Sequence, residues 1–375
     1  MAMKLTCDQQ RTTEALGRVA SVVSPRTPQP ITLNVRVTAE EGHKLNFYAT
    51  DFERSLRYTL LEPDVTVEQP GEICVPARKL SETVAMLDKA ERLKLEETNE
   101  GAKLSSGRAQ FKFRGQSAGE FPPFPEFDAD DAILLPAKDL AYMADMVSFA
   151  IASERSRYSL NGVLFEVRPD SLTLVGSDGK RLAMISKPFE IGRDFSNQHV
   201  IVPKKGLDLL TWACSQSSEV RLQIKENQLL AQTDTALLST LLVNGRYPDF
   251  RQVLPDEGTL DKKAVLSRDA FSLNLRRVEK FTTEDSMSVR FAFESNKLTM
   301  TSRAPEEGEA EVAMDVDYAA DPLEIGFDPH FLLDVLKVLE ADEIVIALRD
   351  ADSAGVIHTQ TEFDYLYLVM PTELG

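Results

Sequence analysis

The chain has 375 residues, 43% of them hydrophobic, which supports about two to three domains with sizeable cores. Lysine and arginine number 42 against 60 aspartates and glutamates, so the net charge of −18 excludes a uniformly basic coat for nucleic acid or membrane and leaves room only for a local basic face. Ordinary proline and glycine contents with 27% charged residues exclude wholesale disorder.

Cys7, Cys74 and Cys214 lie far apart beside apolar segments and are expected as reduced, buried thiols. His43, His199, His330 and His358 are scattered, without the spacing of a zinc site. Met1 to Lys4 lead into Thr6, Asp8, Gln9 and Arg11 instead of an apolar signal core, and no apolar run is long enough to span a bilayer. A reducing cytoplasm is the expected location.

In chain order, a helical stripe of Thr12, Leu16, Val19 and Val23 starts near Asp8. Alternation at Leu45 and Phe47, then Leu56 and Tyr58, predicts half-buried strands. Ile73 to Leu87 combines an extended apolar run, Pro76 and a short helix with Leu80, Val84 and Leu87 on one face. Phe111 and Phe113 alternate again before the proline- and acid-rich stretch from Phe121 to Asp131.

The same grammar then returns. A helix from near Pro136 carries Leu140, Met143, Val147 and Ala150, Val163 and Phe165 mark a strand, and Val200 to Ala213 holds Pro203 ahead of Leu207, Leu210 and Cys214. Leu222 and Ile224 precede a turn at Glu226-Asn227, and Pro255 to Lys263 forms a second boundary. The third pass has Phe271, Leu275, Val278 and Phe281 after Ser267, a strand at Val289, Phe291 and Phe293, a turn at Glu294 to Lys297, and Ile325 to Leu339 with Pro329. Ile344, Ile346 and Leu348 alternate once more. Pro76, Pro203 and Pro329 recur at near-constant spacing, so the chain reads as three modules, 1–128, 129–258 and 259–375. Each is expected as α+β, with two helices covering one face of antiparallel sheet.

Chemistry is sparse. No glycine-rich phosphate loop, serine elbow or His-Glu-x-x-His pattern occurs. Gly176 to Arg181 reads first as a hairpin turn between strands at Leu172–Leu174 and Leu182–Met184, and only second as an anion site. Asp350, Asp352 and Gly355 suggest a calcium loop but fail on ligands, because Ala354 and Thr361 occupy positions that need oxygen donors. Asp128, Asp130 and Asp131 read as a solvated linker. Arg11, Arg18, Lys138, Arg268, Arg276, Arg277 and Lys280 accompany the three first helices, while Arg78, Lys79, Lys204 and Lys205 open two second helices. These cations are either solvated helix faces or one shared basic surface.

Arg157-Tyr158-Ser159-Leu160-Asn161-Gly162, the Ser177 to Leu182 turn, and Leu368-Val369-Met370-Pro371 carry a resemblance. So do Val75 to Lys79, Val202 to Gly206 and Gly245-Arg246-Tyr247-Pro248-Asp249-Phe250. In this order the strings resemble the beta subunit of bacterial DNA polymerase III, the replicative sliding clamps, over essentially the whole chain. The resemblance implies an α+β DNA clamp of three repeated domains, antiparallel sheets outside and two helices inside, closed into a six-domain ring as a head-to-tail homodimer. It implies a processivity factor without catalysis, cofactor or metal, with no membrane partner and a cytoplasmic, nucleoid-associated location. Double-stranded DNA would be held without sequence specificity, and the replicative polymerase alpha subunit, the clamp loader and other repair or replication proteins would be tethered.

By the same resemblance, a partner-peptide pocket is expected from Leu160, Ser177, Gly179, Lys180, Arg181, Leu182, Pro248, Val253, Leu368, Met370 and Pro371. DNA-facing positions would be Arg26, Arg78, Arg155, Tyr158 and Lys205. The dimer interface would set Lys79, Arg108, Phe111 and Phe113 against Phe281, Glu306 and Glu309. Lys180 stands where histidine is frequent, Thr372 and Glu373 replace an apolar and a basic residue, and Lys280 and Gly308 depart at the interface. Competing readings are an enzyme centred on Asp178, Lys180 and Arg181, and a monomeric peptide-binding scaffold.

Overall fold

Caps written in the sequence start the helices. Asp8 accepts from the Arg11 amide at 2.8 Å, Ser267 from Ala270 at 3.4 Å and Asp328 from His330 at 2.9 Å, with Pro329 at a first helical position. Pro76 and Pro203 instead end the strand just before their helices. The computed structural model describes residues 2–152, 159–191, 198–283 and 287–374.

The first module comprises β1 (Lys4–Asp8), α1 (Gln9–Val22), β2 (Asn34–Glu40), β3 (Lys44–Thr50), β4 (Arg54–Leu60), β5 (Val65–Gln69), β6 (Gly71–Pro76), α2 (Ala77–Ala85), β7 (Arg92–Thr98), β8 (Gly101–Ser106) and β9 (Ala109–Arg114). The second holds β10 (Ile133–Pro136), α3 (Ala137–Ser148), β11 (Gly162–Arg168), β12 (Ser171–Ser177), β13 (Arg181–Pro188), β14 (Gln198–Pro203), α4 (Lys204–Ser215), β15 (Glu219–Ile224), β16 (Gln228–Gln232) and β17 (Ala236–Leu241). The third holds β18 (Lys262–Ser267), α5 (Arg268–Glu279), β19 (Val289–Glu294), β20 (Lys297–Ala304), β21 (Gly308–Asp315), β22 (Leu323–Phe327), α6 (Pro329–Val338), β23 (Glu343–Leu348), β24 (Gly355–Gln360) and β25 (Asp364–Val369).

The chain divides into two compact units, 1–138 with 208–242, and 139–207 with 243–375. In the first, β5-β1-β7-β8-β9 form one sheet and β10-β15-β16-β17-β4-β3-β2-β6 another. In the second, β14-β11-β12-β13-β25-β24-β23-β18 form one sheet and β21-β20-β19-β22 another. The three-module pattern predicts a sheet of its own for the middle module, and the structure corrects this. Its strands extend the sheets of both neighbours, through β17 on β4 and β13 on β25, which satisfies edges that separate sheets would leave open.

Helix stripes bury as their spacing requires. Thr12, Leu16 and Val19 of α1, Leu80 and Val84 of α2, Phe271, Leu275 and Val278 of α5, and Leu332 and Leu336 of α6 all face core. The buried Gln9 amide donates to Val84 and Leu87 carbonyls at 2.8 and 3.2 Å, tying α1 to the end of α2. β11 is not half-buried as its alternation suggested: it lies between β14 and β12 and is buried on both faces from Gly162 to Val167. All three cysteines are free and buried, and burial pushes the Cys7 thiol up to about 11 and those of Cys74 and Cys214 to about 12. No helix among the described residues is long and apolar enough to cross a membrane.

Candidate functional site

The second unit contains a cavity of about 170 Å³ built on the β12–β13 hairpin. Asp178-Gly179-Lys180 closes that hairpin, with Gly179 at φ 89°, in the left-handed region that glycine enters at low cost. The Ser177 hydroxyl donates to the Arg181 carbonyl at 2.7 Å and accepts from the Gly179 amide at 3.1 Å. Asp178 Oδ1 accepts from the Lys180 and Arg181 amides at 2.9 and 3.0 Å, and its Oδ2 from Arg181 Nε at 3.0 Å. The carboxylate that an enzyme at this turn would need is thus committed to holding the turn.

Arg181 anchors the hairpin to its surroundings. Its other nitrogens donate to Asp334 on α6 at 2.9 Å and to the Phe149 carbonyl at 2.8 Å, while Phe331 and Phe149 lie 4.6 and 5.5 Å from the guanidinium. Burial works against its charge, yet the Asp334 bond, with Tyr367 and Asp178 nearby, keeps its pKa raised. Burial would likewise raise Asp334, but Lys337 and Arg181 hold its carboxyl below the usual range.

Two further elements complete the walls. β25 sets Leu368 opposite Leu182, and the Met370 amide donates to the Lys180 carbonyl at 2.9 Å. The segment after β17 brings Tyr247, whose hydroxyl donates to Val175 at 3.4 Å, and a 3₁₀ turn at Phe250–Val253. Gly245 adopts φ 124° where a Cβ would meet Ser159 Oγ at 2.3 Å. Arg251 fixes this turn by donating to Glu166, which also binds Arg168 at 2.9 Å and lies 3.3 Å from His199. Glu166 is only 3% exposed; burial pushes its pKa up, but Arg168 and Arg251 win and hold the carboxyl below its ordinary range.

Buried Leu160, Leu182 and Leu368 form an apolar floor, beneath a rim with Val253 58% and Met370 46% exposed. Such a floor can bury one or two apolar side chains, each contributing about 1.5–3 kcal/mol. Every expected pocket residue lines the cavity except Pro371, which lies half-buried beyond Met370, and Tyr247, Asp249 and Phe250 join the lining. Tyr247 and Phe250 were visible inside the Gly245 to Phe250 string but carried no individual signal.

The expected DNA-facing cations are exposed where described. Arg26 sits in the loop after α1, Arg78 in the first turn of α2 and Lys205 in the first turn of α4. Arg155 and Tyr158 lie outside the described residues. Some other helix cations are engaged: Arg11 with Glu14 and Asp64, Arg268 with the Leu339 carbonyl, and Arg18 over the Trp212 ring at 5.2 Å.

Of the expected interface set, Phe111 and Phe113 lie on β9, an edge strand of the first unit, with Arg108 in the turn before it and Lys79 exposed on α2. Glu309 lies on β21, an edge strand of the second unit, preceded by Glu306, and Phe281 packs 3.6 Å from where a Gly308 Cβ would stand. β21 starts at Gly308, opposite Ala304 of β20, so Glu309 and Glu311 stand on a paired strand. No cluster of three or more His, Cys, Asp or Glu suited to a metal occurs among the described residues.

Models of the N-terminal, central and C-terminal domains of the DNA polymerase III beta subunit match residues 3–125, 134–249 and 251–373. The chain is 31% identical over 372 residues to a beta sliding clamp of Chlamydia pneumoniae, covering 99% of each. It is 32% identical over 373 residues to that of Pseudomonas aeruginosa, covering 99% of this chain and 100% of the other. It also matches the crystal structure of a DnaN sliding clamp from Pseudomonas aeruginosa bound to griselimycin, with TM-score 0.92, 31% identity and 100% coverage of both chains.

Proposed function

Since this chain belongs to the DNA polymerase III beta subunit family, the beta sliding clamps, we propose how its described parts serve a processivity factor. The fold is the three-domain clamp, and the function is the non-catalytic one of keeping a DNA polymerase on its template. We divide the domains at 1–128, 129–258 and 259–375.

Two protomers close head to tail, the β9 end of one meeting the β21 end of the other. Charge supports this pairing. The β9 end carries exposed Arg108, Lys112 and Arg114, the β21 end Glu306, Glu309 and Glu311. Unpaired β9 and β21 edges meeting twice satisfy one another and leave a closed assembly. Duplex DNA passes through the ring, met by Arg26, Arg78 and Lys205 through phosphate attraction without base readout, which suits translocation over any sequence. Arg155 and Tyr158 belong to the same proposed surface. A clamp loader opens the ring, and action on DNA places the protein at the nucleoid.

The cavity at β12, β13 and β25 receives short apolar segments of the polymerase alpha subunit, the loader and other replication or repair proteins. One observation carries this reading: buried Leu182 and Leu368 lie beneath exposed Val253 and Met370 in a walled cavity. Pro371 belongs to the same ligand surface, outside the cavity itself. Primer extension on a primed single-stranded circle, with polymerase and loader, tests it. The protein should lengthen products per binding event, and Met370→Ala should shorten them by weakening capture about tenfold, while the dimer mass stays at twice 41.8 kDa. Product length indifferent to the protein would overturn the function, and a Met370→Ala chain that loses its dimer would overturn the separation of pocket from interface.

A further inference from the structure

We infer that the first unit contains a second copy of the pocket's framework and that Tyr48 plugs it, so each protomer offers one peptide site where its repeats build two frames. The inference rests on reading the β12–β13 cavity as the peptide site. The β3–β4 hairpin repeats the turn bonds of β12–β13. Thr50 Oγ1 donates to the Arg54 carbonyl at 3.1 Å and accepts from the Phe52 amide at 3.0 Å, as Ser177 does with Arg181 and Gly179. Asp51 Oδ1 accepts from the Glu53 and Arg54 amides at 3.1 and 2.6 Å, and its Oδ2 from Arg54 Nε at 3.2 Å, the pattern of Asp178 and Arg181. Phe52 takes φ 70° where Gly179 takes 89°. The Leu241 amide donates to Glu53 at 2.7 Å, as Met370 does to Lys180 at 2.9 Å, and Leu241 is likewise exposed. Gly119-Glu120-Phe121-Pro122-Pro123-Phe124 takes the part of Gly245-Arg246-Tyr247-Pro248-Asp249-Phe250.

What fills the two frames differs. Val175 stands across from Met184, and at the repeated position Tyr48 stands across from Arg57. The Tyr48 ring is buried edge-on to Phe121 and Phe124 at 5.1 and 5.0 Å, and its hydroxyl donates to the Pro123 carbonyl at 3.2 Å. Where Leu182 faces Leu368 in the pocket floor, Ser55 faces Ser239, and both serines are buried and bonded, to Thr50 at 2.9 Å and Gln228 at 3.1 Å. The phenol ring takes the space a ligand side chain would need, and the hydroxyl floor penalises burial of an apolar anchor.

A fluorescein-labelled hexapeptide with leucine and phenylalanine anchors, titrated onto the full-length chain, reads the number of sites. The parent should bind one peptide per protomer; no binding at all would sink the underlying pocket reading and the inference with it. Tyr48→Val combined with Ser55→Leu and Ser239→Leu should add a second, weaker equivalent. In the otherwise unaltered chain, Val175→Tyr should cut binding at the existing site about tenfold or more without changing the dimer mass. A folded triple variant that still binds one peptide, or a Val175→Tyr chain that binds like the parent, would overturn the plug.

Discussion

Glu166 shows how much of the site depends on a residue that touches no ligand. It holds Arg251, and through Arg251 the turn that presents Phe250 and Val253 to the cavity. Glu166→Gln should cost about 1.5–3 kcal/mol at neutral pH, the range for hydrogen bonds to a charged group. Because the folded carboxyl titrates below its ordinary value of 4.5, its contribution is present above that value and is lost as pH falls through the lower folded one. Thermal melts should therefore show the parent's advantage over Glu166→Gln shrinking on acidification below about pH 4.5, and a constant gap down to strong acid would contradict the assignment. Nothing in the sequence marked this residue, since a lone glutamate in an alternating strand carries no sign that an arginine far along the chain will reach it. The Asp178-Gly179 turn was legible for the opposite reason: its chemistry is local, and a short polar residue followed by a glycine that enters the left-handed region at low cost is a strong hairpin signal.

Helices and strands were legible wherever their signal is local, and partnerships were not. Starts near Asp8 and Ser267, the proline Pro329, and the apolar stripes behind them placed α1, α5 and α6, and Asp328 emerged as the cap of α6 only in the structure. Alternation located β19 and β23 but says which face is buried, not which strand lies alongside. Hence the pairing of β17 with β4 and of β13 with β25, which builds the pocket wall, came only from the structure. Edge strands carry the next prediction. If β9 meets β21 of a second protomer, Arg108→Glu and Glu309→Arg should each weaken the dimer by about 1 kcal/mol, and the double reversal should recover part of it. Light scattering across a dilution series checks this, and single variants that dilute like the parent would remove these charges from the interface.

At the scale of the molecule, an acidic chain performs a task on DNA. A net charge of −18 opposes general adhesion of duplex, and on the proposed reading a few exposed cations such as Arg78 and Lys205 would supply attraction without a tight grip. Composition alone pointed away from nucleic acid; the ordered strings spread over three modules pointed toward it, because topology instead of affinity provides retention. That claim is tested most directly by loading labelled protein onto a closed circular plasmid, isolating the complex at fixed salt, and cutting the plasmid once. The account predicts that protein stays on the circle and runs off within the same interval once ends are present. Equal loss from circular and linear DNA would contradict it.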